Sequence, residues 1–214
     1  MLSNDDYSQA FHEIKNAVTL INSSLQLLEH KHPEVRQYSY WNNSLQSLDY
    51  LREMLAELSQ ARLSENVKLK PVNVNLLLHD ILLSIQSLKW CGSFECKASI
   101  MPGLPTVLAD SFRLTQAIIN LLKNAYEAMD QTGLCLLNAY HNAHFLYIDI
   151  IDHGGGIAPA YEDTIFHPFT TSKPNGTGLG LTICKQVIEN HNGKLTYESR
   201  PGDGCTFQII LPTT

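Results

Sequence analysis

Apolar residues near the start of the chain recur in alternating steps of four and three, which is the spacing of a heptad seam on an α-helix. The seam consists of Tyr7, Phe11, Ile14, Val18, Ile21, Leu25 and Leu28. After a break at HKHPEV, where Pro33 can open a helix, helical spacing resumes with Trp41, Leu45, Leu48, Leu51, Leu55 and Leu58. The pattern predicts two long helices joined by a short turn.

A hairpin of only two helices has little against which to bury such a seam. We therefore expect it to form a homodimer with the architecture of a four-helix bundle. The alternative is that the rest of the chain covers the seam. The polar segment 64–71 has the composition of a linker, so the predicted domains are residues 1–65 and 66–214.

The second domain is predicted to mix helices and strands, so the chain as a whole belongs to the α+β class. The helical patterns are VNVNLLLHDILLSIQSL, which begins as a short strand, DSFRLTQAIINLLKNAYEAM, capped by Asp110 or Ser111, and TGLGLTICKQVIENHNG, closed by Gly193. The strand patterns are SFECKASI, LCLLNAY, HFLYIDIID, KLTYES and GCTFQIIL. Their uneven alternation predicts a mixed sheet with helices on one face.

Composition narrows the class of protein. With 44% hydrophobic and 17% charged residues, the chain is typical of a soluble globular protein. Its net charge of −6 disfavours nucleic acid as a partner. No apolar run approaches the roughly 20 residues of a membrane span, and the first ten residues are not a signal peptide, so we expect a cytoplasmic protein with no membrane segment.

The five cysteines, Cys91, Cys96, Cys135, Cys184 and Cys205, are odd in number and scattered. The spacing of Cys91 and Cys96 has no second matching pair, which disfavours a metal or redox role. The other thiols are interpreted as small core residues.

Two glycine-rich loops are candidates for ligand binding. DHGGGI follows a predicted strand, and NGTGLGL precedes a predicted helix. Glycine lets a backbone approach a ligand closely, and the start of a helix offers free N–H groups to phosphate. Each loop alone is weak evidence, because glycine clusters usually mark turns. The chain has no GxxxxGK[ST], no H-R-D or D-F-G, and no GxGxxG, which excludes the common alternative phosphate sites.

Asn120 and Asn124 in NLLKNAYEA stand at i and i+4, so both amides lie on one helix face. Amide oxygens are ligands that suit Mg²⁺, which takes only one or two protein ligands beside phosphates and water. Taken alone, the pair is also compatible with a solvated helix face.

Together, NLLKNAYEA, DHGGGI, IFHPFTTSKPNGTGLGL and GDGCTF follow one another between residues 110 and 211. In this order they resemble the N, G1, F and G2 boxes and the final strand of sensor histidine kinases. That family shares its ATPase fold with gyrase, MutL and heat-shock chaperones. The resemblance implies an α/β sandwich with a mixed sheet, and ATP bound under a short lid at residues 172–176.

The resemblance also implies a role for individual residues. Asp152 would accept from the adenine amino group, and Asn124 would bind Mg²⁺. The adenine pocket would further contain Gly154, Gly156, Ile157 and Thr206. The triphosphate would lie near Asn120, Lys123, Lys173, Gly176, Gly178, Leu179 and Gly180. Hydrolysing relatives carry glutamate where this chain has Asn120, and an amide is no general base, so the site is expected to hold ATP for transfer.

Given such an ATP domain, HEIKN at residues 12–16 resembles the H box of the same family. The hairpin would then be the dimerisation and phosphoacceptor domain. His12 would be the nucleophile, Glu13 would take the ring proton or fix the tautomer, and Asn16 would position water for dephosphorylating a partner. Without the resemblance, His12 is an ordinary solvated histidine. The family usually has proline where this chain has Ala17, which affects the balance of kinase and phosphatase activity.

The predicted function is a dimeric histidine autokinase that uses ATP and Mg²⁺, phosphorylates His12 and passes the phosphoryl group to an aspartate of a response regulator. One alternative is a histidine phosphotransferase or regulatory scaffold that binds ATP without turnover. Another is an ATP-driven conformational switch like gyrase, which Asn120 disfavours. The sequence contains no sensor or receiver domain, so we expect either a fragment or a signal that arrives through a separate sensor protein.

Overall fold

The computed structural model describes residues 4–63, 67–87, 93–173 and 176–213. Contacts between Cα atoms divide the chain into two compact units. The first comprises Met1–Ser59 and Lys173–Thr177, and the second comprises Gln60–Ser172 and Gly178–Thr214. The predicted boundary between residues 65 and 66 lies outside the described residues and stays a prediction.

Two long helices make up most of the first unit. Helix α1 spans Asn4–Lys31 and α2 spans Ser39–Leu63, with a 3₁₀ turn at Pro33–Gln37 between them. Proline occupies the start of this turn, as expected from its fixed φ. Along the predicted seams Val18, Trp41 and Leu48 are buried, whereas Ile14 and Ile21 remain 52% and 51% exposed.

The second unit contains seven strands and three helices within the described ranges. In chain order they are β1 (Lys70–Asn73), α3 (Val74–Ser87), β2 (Phe94–Ile100), β3 (Thr106–Ala109), α4 (Ser111–Ala128), β4 (Gly133–His141), β5 (Phe145–Asp152), α5 (Gly180–Asn190), β6 (Lys194–Arg200) and β7 (Gly204–Pro212). A 3₁₀ turn at Pro159–Tyr161 lies between β5 and α5.

The main sheet has the strand order β2-β4-β5-β7-β6. Strands β2 and β4 are parallel, and the other neighbours are antiparallel, which confirms the predicted mixed sheet. Side chains alternate strictly on β5, where Leu146, Ile148 and Ile150 are buried and the residues between them are partly exposed. The apolar stripe of α4 contains buried Leu114 and Ile118, so a helix covers the buried face.

Three details differ from the sequence-based expectation. The residues Thr106–Ala109 form β3, which pairs with β1 and was not predicted. Part of the predicted linker is strand, since β1 begins at Lys70. Helix α5 is not closed by Gly193: Asn192 takes the left-handed conformation with φ 55°, and the Gly193 N–H donates to the Ile188 carbonyl at 3.0 Å. An added Cβ at Gly193 would lie 2.5 Å from the Ile210 carbonyl oxygen, so glycine is needed there for close packing.

Of the two predicted caps of α4, Asp110 and Ser111, the structure has Asp110: its carboxylate accepts from the Arg113 N–H at 3.3 Å.

None of the helices in the described ranges combines the length and the apolar character that a membrane crossing requires.

Candidate functional site

One face of α4 is bordered by both glycine-rich loops. Asn120, Asn124 and Ala128 are spaced by four and therefore lie on this face. At its start, the Asn120 side-chain N–H donates to the Gly180 carbonyl at 3.1 Å. At its end, a Cβ built on Gly154 would lie only 2.4 Å from the Ala128 carbonyl oxygen. The structure thus places Asn124 midway between the two loops.

Asp152 is the last residue of β5 and is only 4% exposed. Its Oδ1 accepts a hydrogen bond from the Gly154 N–H at 2.9 Å, which ties the carboxylate to the loop that follows. The β7 residue in register with Asp152 is Cys205. Burial raises the pKa of the Cys205 thiol to about 12, and the neighbouring Asp152 carboxylate adds to this shift.

The loop after Asp152 is held against β6 and the β6–β7 turn. The Ile157 N–H donates to the Ser199 hydroxyl at 2.8 Å. Gly156 has φ +70°, and a Cβ there would lie 2.4 Å from the Arg200 carbonyl oxygen, so only glycine is accommodated. The same holds at Gly204, which has φ +97° and approaches the Asp152 carbonyl closely. The loop DHGGGI is therefore a tightly packed wall and not a loose turn.

Cavities open near both ends of the α4 face. A shallow cleft of about 540 Å³ is bordered by Ala128, Gly154 and Gly155. A smaller cavity of about 230 Å³ lies between α4 and α5, with Asn120 and Ile183 in its wall. Space is thus present at each end of this face, as a ligand site requires.

Thr206 lies one residue beyond the register partner of Asp152. It pairs with Ile151, and side chains alternate along a strand, so Thr206 and Asp152 lie on opposite faces of the sheet. Cys205 is the β7 side chain on the Asp152 face. The role of Thr206 in the adenine pocket stays a prediction.

The predicted phosphate-binding residues are only partly brought together. Gly180 begins α5 and Leu179 caps it, and Gly178 before them has φ +66°. The Lys123 ammonium lies 3.8 Å from the Glu127 carboxylate on the exposed side of α4. Lys173 and Gly176 are grouped with the first unit and join each other through a backbone bond of 3.1 Å. Positions 174 and 175 of the predicted lid lie outside the described residues.

The residues of the predicted phosphoacceptor motif lie on α1. The side chains of Glu13 and Asn16 are exposed, as is that of Ala17. The side chain of His12 lies outside the described residues. The roles predicted for His12, Glu13 and Asn16 stay predictions.

Sequence reasoning missed several residues that shape this region. Ala128 allows the close approach of Gly154, and Ser199 holds the backbone of Ile157. His191 is 1% exposed; its Nε2 accepts from the Asp110 N–H at 2.9 Å, and its Nδ1–H donates to the Val187 carbonyl. Nothing in the local sequence distinguishes these residues, because their partners are distant along the chain.

Residues 109–214 match the family model described as "Histidine kinase-, DNA gyrase B-, and HSP90-like ATPase". This part of the chain is therefore an ATPase domain of that class. Curated relatives extend the likeness over 94% of the chain. The sensor histidine kinase ZraS of Escherichia coli strain K12 is 30% identical, and the match covers 43% of its length. The sensory histidine kinase/phosphatase NtrB of Rhodobacter capsulatus is 34% identical, and the match covers 59% of its length. The chain has the core of a sensor histidine kinase.

Solved structures show the same fold. Full-length ShkA in complex with AMPPNP has a TM-score of 0.81 at 24% identity, over 100% of this chain and 47% of that one. The histidine kinase ThkA in complex with the response regulator TrrA has a TM-score of 0.70 at 24% identity, over 99% of this chain and 62% of that one. The chain spans about half the length of the two curated relatives, ZraS and NtrB.

Proposed function

We propose that this chain is an ATP-dependent histidine autokinase, which phosphorylates His12 and passes the phosphoryl group to an aspartate of a response regulator. The observation that supports this most strongly is the α4 face carrying Asn120 and Asn124, bordered by Gly180 at one end and Gly154 at the other. The names of the relatives and the regulator bound to ThkA support the same proposal.

ATP would bind along this face with its adenine towards Asp152. The buried carboxylate is a suitable acceptor for the adenine amino group. The triphosphate would extend towards the start of α5, where backbone N–H groups favour an anion. The cations of Lys123 and Lys173 would balance its charge.

Mg²⁺ fits the residues present. The half-buried amide of Asn124 lies on the face between the two loops and offers a neutral oxygen, which matches the preference of Mg²⁺ for few protein ligands. When bound, the ion neutralises negative charge on the phosphate oxygens. Asn120 would not activate water, because its amide donates to Gly180 and has no basic character.

Phosphoryl transfer needs an accessible imidazole. An unperturbed histidine has a pKa of about 6.5, so a large fraction is neutral and nucleophilic near pH 7. A ring nitrogen of His12 would attack the γ-phosphorus while the bond to the ADP oxygen breaks, and Glu13 would take the ring proton. We propose that the protein is located in the cytoplasm, where ATP is abundant. Positioning and charge neutralisation would supply most of the catalysis.

The test is incubation of the chain with γ-labelled ATP and Mg²⁺. We expect acid-labile, alkali-stable label in the wild type and none in His12→Gln. His30→Gln is the matched control, since His30 is an exposed histidine on the same helix. No label in any protein, with ATP still bound, would favour the regulatory scaffold. Label that persists in His12→Gln would identify another phosphoacceptor.

The homodimer is proposed from the exposed half of the seam on α1. Ile14 and Ile21 are about half exposed in the single chain, and a second copy would bury them as a four-helix bundle. Light scattering after size exclusion should give a dimer for the wild type and a monomer for Ile21→Glu. Leu20→Glu is the control, because Leu20 is 68% exposed and lies off the seam. A monomeric wild type would contradict the proposal.

Phosphatase activity is proposed for the exposed Asn16, supported by the kinase/phosphatase description of NtrB. Asn16→Ala should retain autophosphorylation and release label more slowly from a regulator that the chain itself has phosphorylated. Equal rates of release from wild type and variant would remove this assignment. Ala17→Pro, which introduces the proline typical of the family, should shift the ratio of the two activities.

A further inference from the structure

A row of polar and sulfur-containing side chains crosses the sheet at Asp152. The registers pair Cys96 with Cys135, Asp152 with Cys205, and Cys205 with Ser199. On the antiparallel strands β4 and β5, Leu136 pairs with Ile151. Continuing this register by one residue on each strand brings Cys135 beside Asp152. The residue predicted to bind adenine thus has a sulfur neighbour on each side.

Cys96 and Cys135 are suited to form a bond with each other. They are directly opposite on the parallel strands β2 and β4, and neither is part of a disulfide. Neighbouring strands lie about 4.8 Å apart, and a disulfide requires Cα atoms about 4.4–6.8 Å apart. The strand spacing therefore places the two cysteines within the range over which a disulfide can form.

The two thiols differ in reactivity. Cys96 lies on the edge strand and is half-buried, whereas Cys135 is fully buried. The neighbouring Cys135 thiol lowers the pKa of the Cys96 thiol, whereas the Cys96 thiol together with burial raises the pKa of Cys135. Since the thiolate is the reactive form, Cys96 is the group that meets an oxidant first.

Metal binding is a weaker explanation for this pair. Within the described ranges, no group of three or more His, Cys, Asp or Glu side chains is placed to hold a metal ion. The other buried thiols have different neighbours: Cys184 donates to the Ala117 carbonyl at 3.5 Å, and Cys205 has Asp152 and Ser199 as register partners.

We propose that Cys96 and Cys135 form a dithiol that peroxide oxidises to a disulfide, and that this bridge weakens nucleotide binding beside Asp152. The Cys96 thiolate attacks one peroxide oxygen, the O–O bond breaks, and the released hydroxide takes a proton to become water. Cys135 then attacks the sulfur of the Cys96 sulfenic acid, the S–O bond breaks, and a second water leaves with the Cys135 proton. Two thiols lose two electrons and two protons, and one peroxide becomes two waters.

The expected coupling follows from the position of Cys135 in the row. Disulfide Cβ atoms lie about 3.5–4.5 Å apart, which is closer than the spacing of about 4.8 Å between strands. The bridge therefore draws β2 towards β4 and moves the sulfur that adjoins Asp152. This part of the inference rests on the proposed role of Asp152 in nucleotide binding.

The first test maps the bond. The reduced full chain is treated with hydrogen peroxide, alkylated and digested without reductant. We expect a mass loss of two hydrogen atoms and a linked peptide joining Cys96 to Cys135, absent from Cys96→Ser and Cys135→Ser. Cys205→Ser and Cys91→Ser are the controls and should retain it. A link that includes Cys91, which lies outside the described residues, or oxidation without any link, would overturn the dithiol.

The second test measures nucleotide affinity by titration of a fluorescent ATP analogue. Oxidised protein should bind the analogue at least about fivefold more weakly than reduced protein. This is the lower end of the range typical of coupling between two sites. Dithiothreitol should restore affinity, and peroxide-treated Cys96→Ser should bind as the reduced wild type does. A mapped disulfide with unchanged affinity would refute the coupling. If the reduced protein bound no nucleotide, the proposed function would be refuted instead. The peptide mapping of the first test would still show whether Cys96 and Cys135 form a disulfide.

Discussion

Asn120 and Gly180 lie 60 residues apart in the chain, and the side-chain amide of the first donates to the carbonyl of the second at 3.1 Å. A Cβ on Gly180 would lie 2.9 Å from this amide nitrogen, so the two residues are in close contact. The bond fixes the first turn of α5 against α4. It thereby holds the helix start that would face the phosphates in a set position.

Replacing Asn120 by alanine should therefore weaken nucleotide binding as well as the fold. Loss of one neutral hydrogen bond costs about 1 kcal/mol, which corresponds to about fivefold in affinity. Titration of an ATP analogue and urea unfolding measure the two effects. Gln186→Ala, at an exposed position on α5, should change neither. If Asn120→Ala bound nucleotide as tightly as wild type, the bond would have no part in the site.

Gly154 and Gly155 offer a matched pair of substitutions. A Cβ at Gly154 would meet the Ala128 carbonyl oxygen at 2.4 Å, whereas at Gly155 nothing lies within 4 Å. Gly154→Ala should force the loop away from α4, at a cost of about 1–3 kcal/mol, with reduced nucleotide affinity. Gly155→Ala should fold and bind as wild type does. Thermal unfolding and analogue titration of both variants provide the comparison, and equal behaviour would contradict the packed wall.

Asp152→Asn should reduce affinity for ATP about tenfold or more, because a hydrogen bond to a charged acceptor contributes about 1.5–3 kcal/mol. The amide is of similar size, so the fold should be retained. Asp149→Asn is the control: Asp149 lies on the same strand and accepts from the Gln208 amide at 2.9 Å on the other face of the sheet. Competition between ATP and GTP should show that selectivity for adenine falls only in Asp152→Asn.

His191→Ala should destabilise the second unit without a direct effect on chemistry. The substitution removes the acceptor of the Asp110 N–H and leaves a buried donor and a cavity. The expected loss in the free energy of unfolding is about 2–4 kcal/mol. His144→Ala, at an exposed position in the β4–β5 turn, should be nearly neutral. Urea unfolding of both proteins tests this, and a loss as large in His144→Ala would contradict it.

Cys205 should make stability depend on alkaline pH. Its pKa is about 12 in the folded protein, against 9.0 for an unperturbed thiol. Between these values the folded state keeps a proton that the unfolded state releases, so the stability contribution is complete below about pH 9 and falls as pH rises. Cys205→Ala should lose stability less steeply than wild type between about pH 9 and pH 12. Parallel slopes in urea unfolding would contradict this.

The helices of the first unit and most strands of the second follow from local pattern. Heptad spacing and Pro33 predict α1, the turn and α2, and two-residue alternation predicts β5 and β7. Strand β3 was missed because a four-residue strand carries too little alternation to stand out. The end of α5 was misassigned because Asn192 and Gly193 both tolerate turn conformations, and only packing against Ile210 requires glycine at the second.

The sequence by itself determined the order of the elements and the resemblance to sensor histidine kinases, because glycine, proline and helical spacing act over a few residues. Only the tertiary structure decided which distant groups meet. The contact of Asn120 with Gly180, the clamp of His191 on Asp110, and the row that joins Cys96 and Cys135 to Asp152 all depend on strand register and helix packing. Register is set by burial of one face of the whole sheet, a property that no short segment contains.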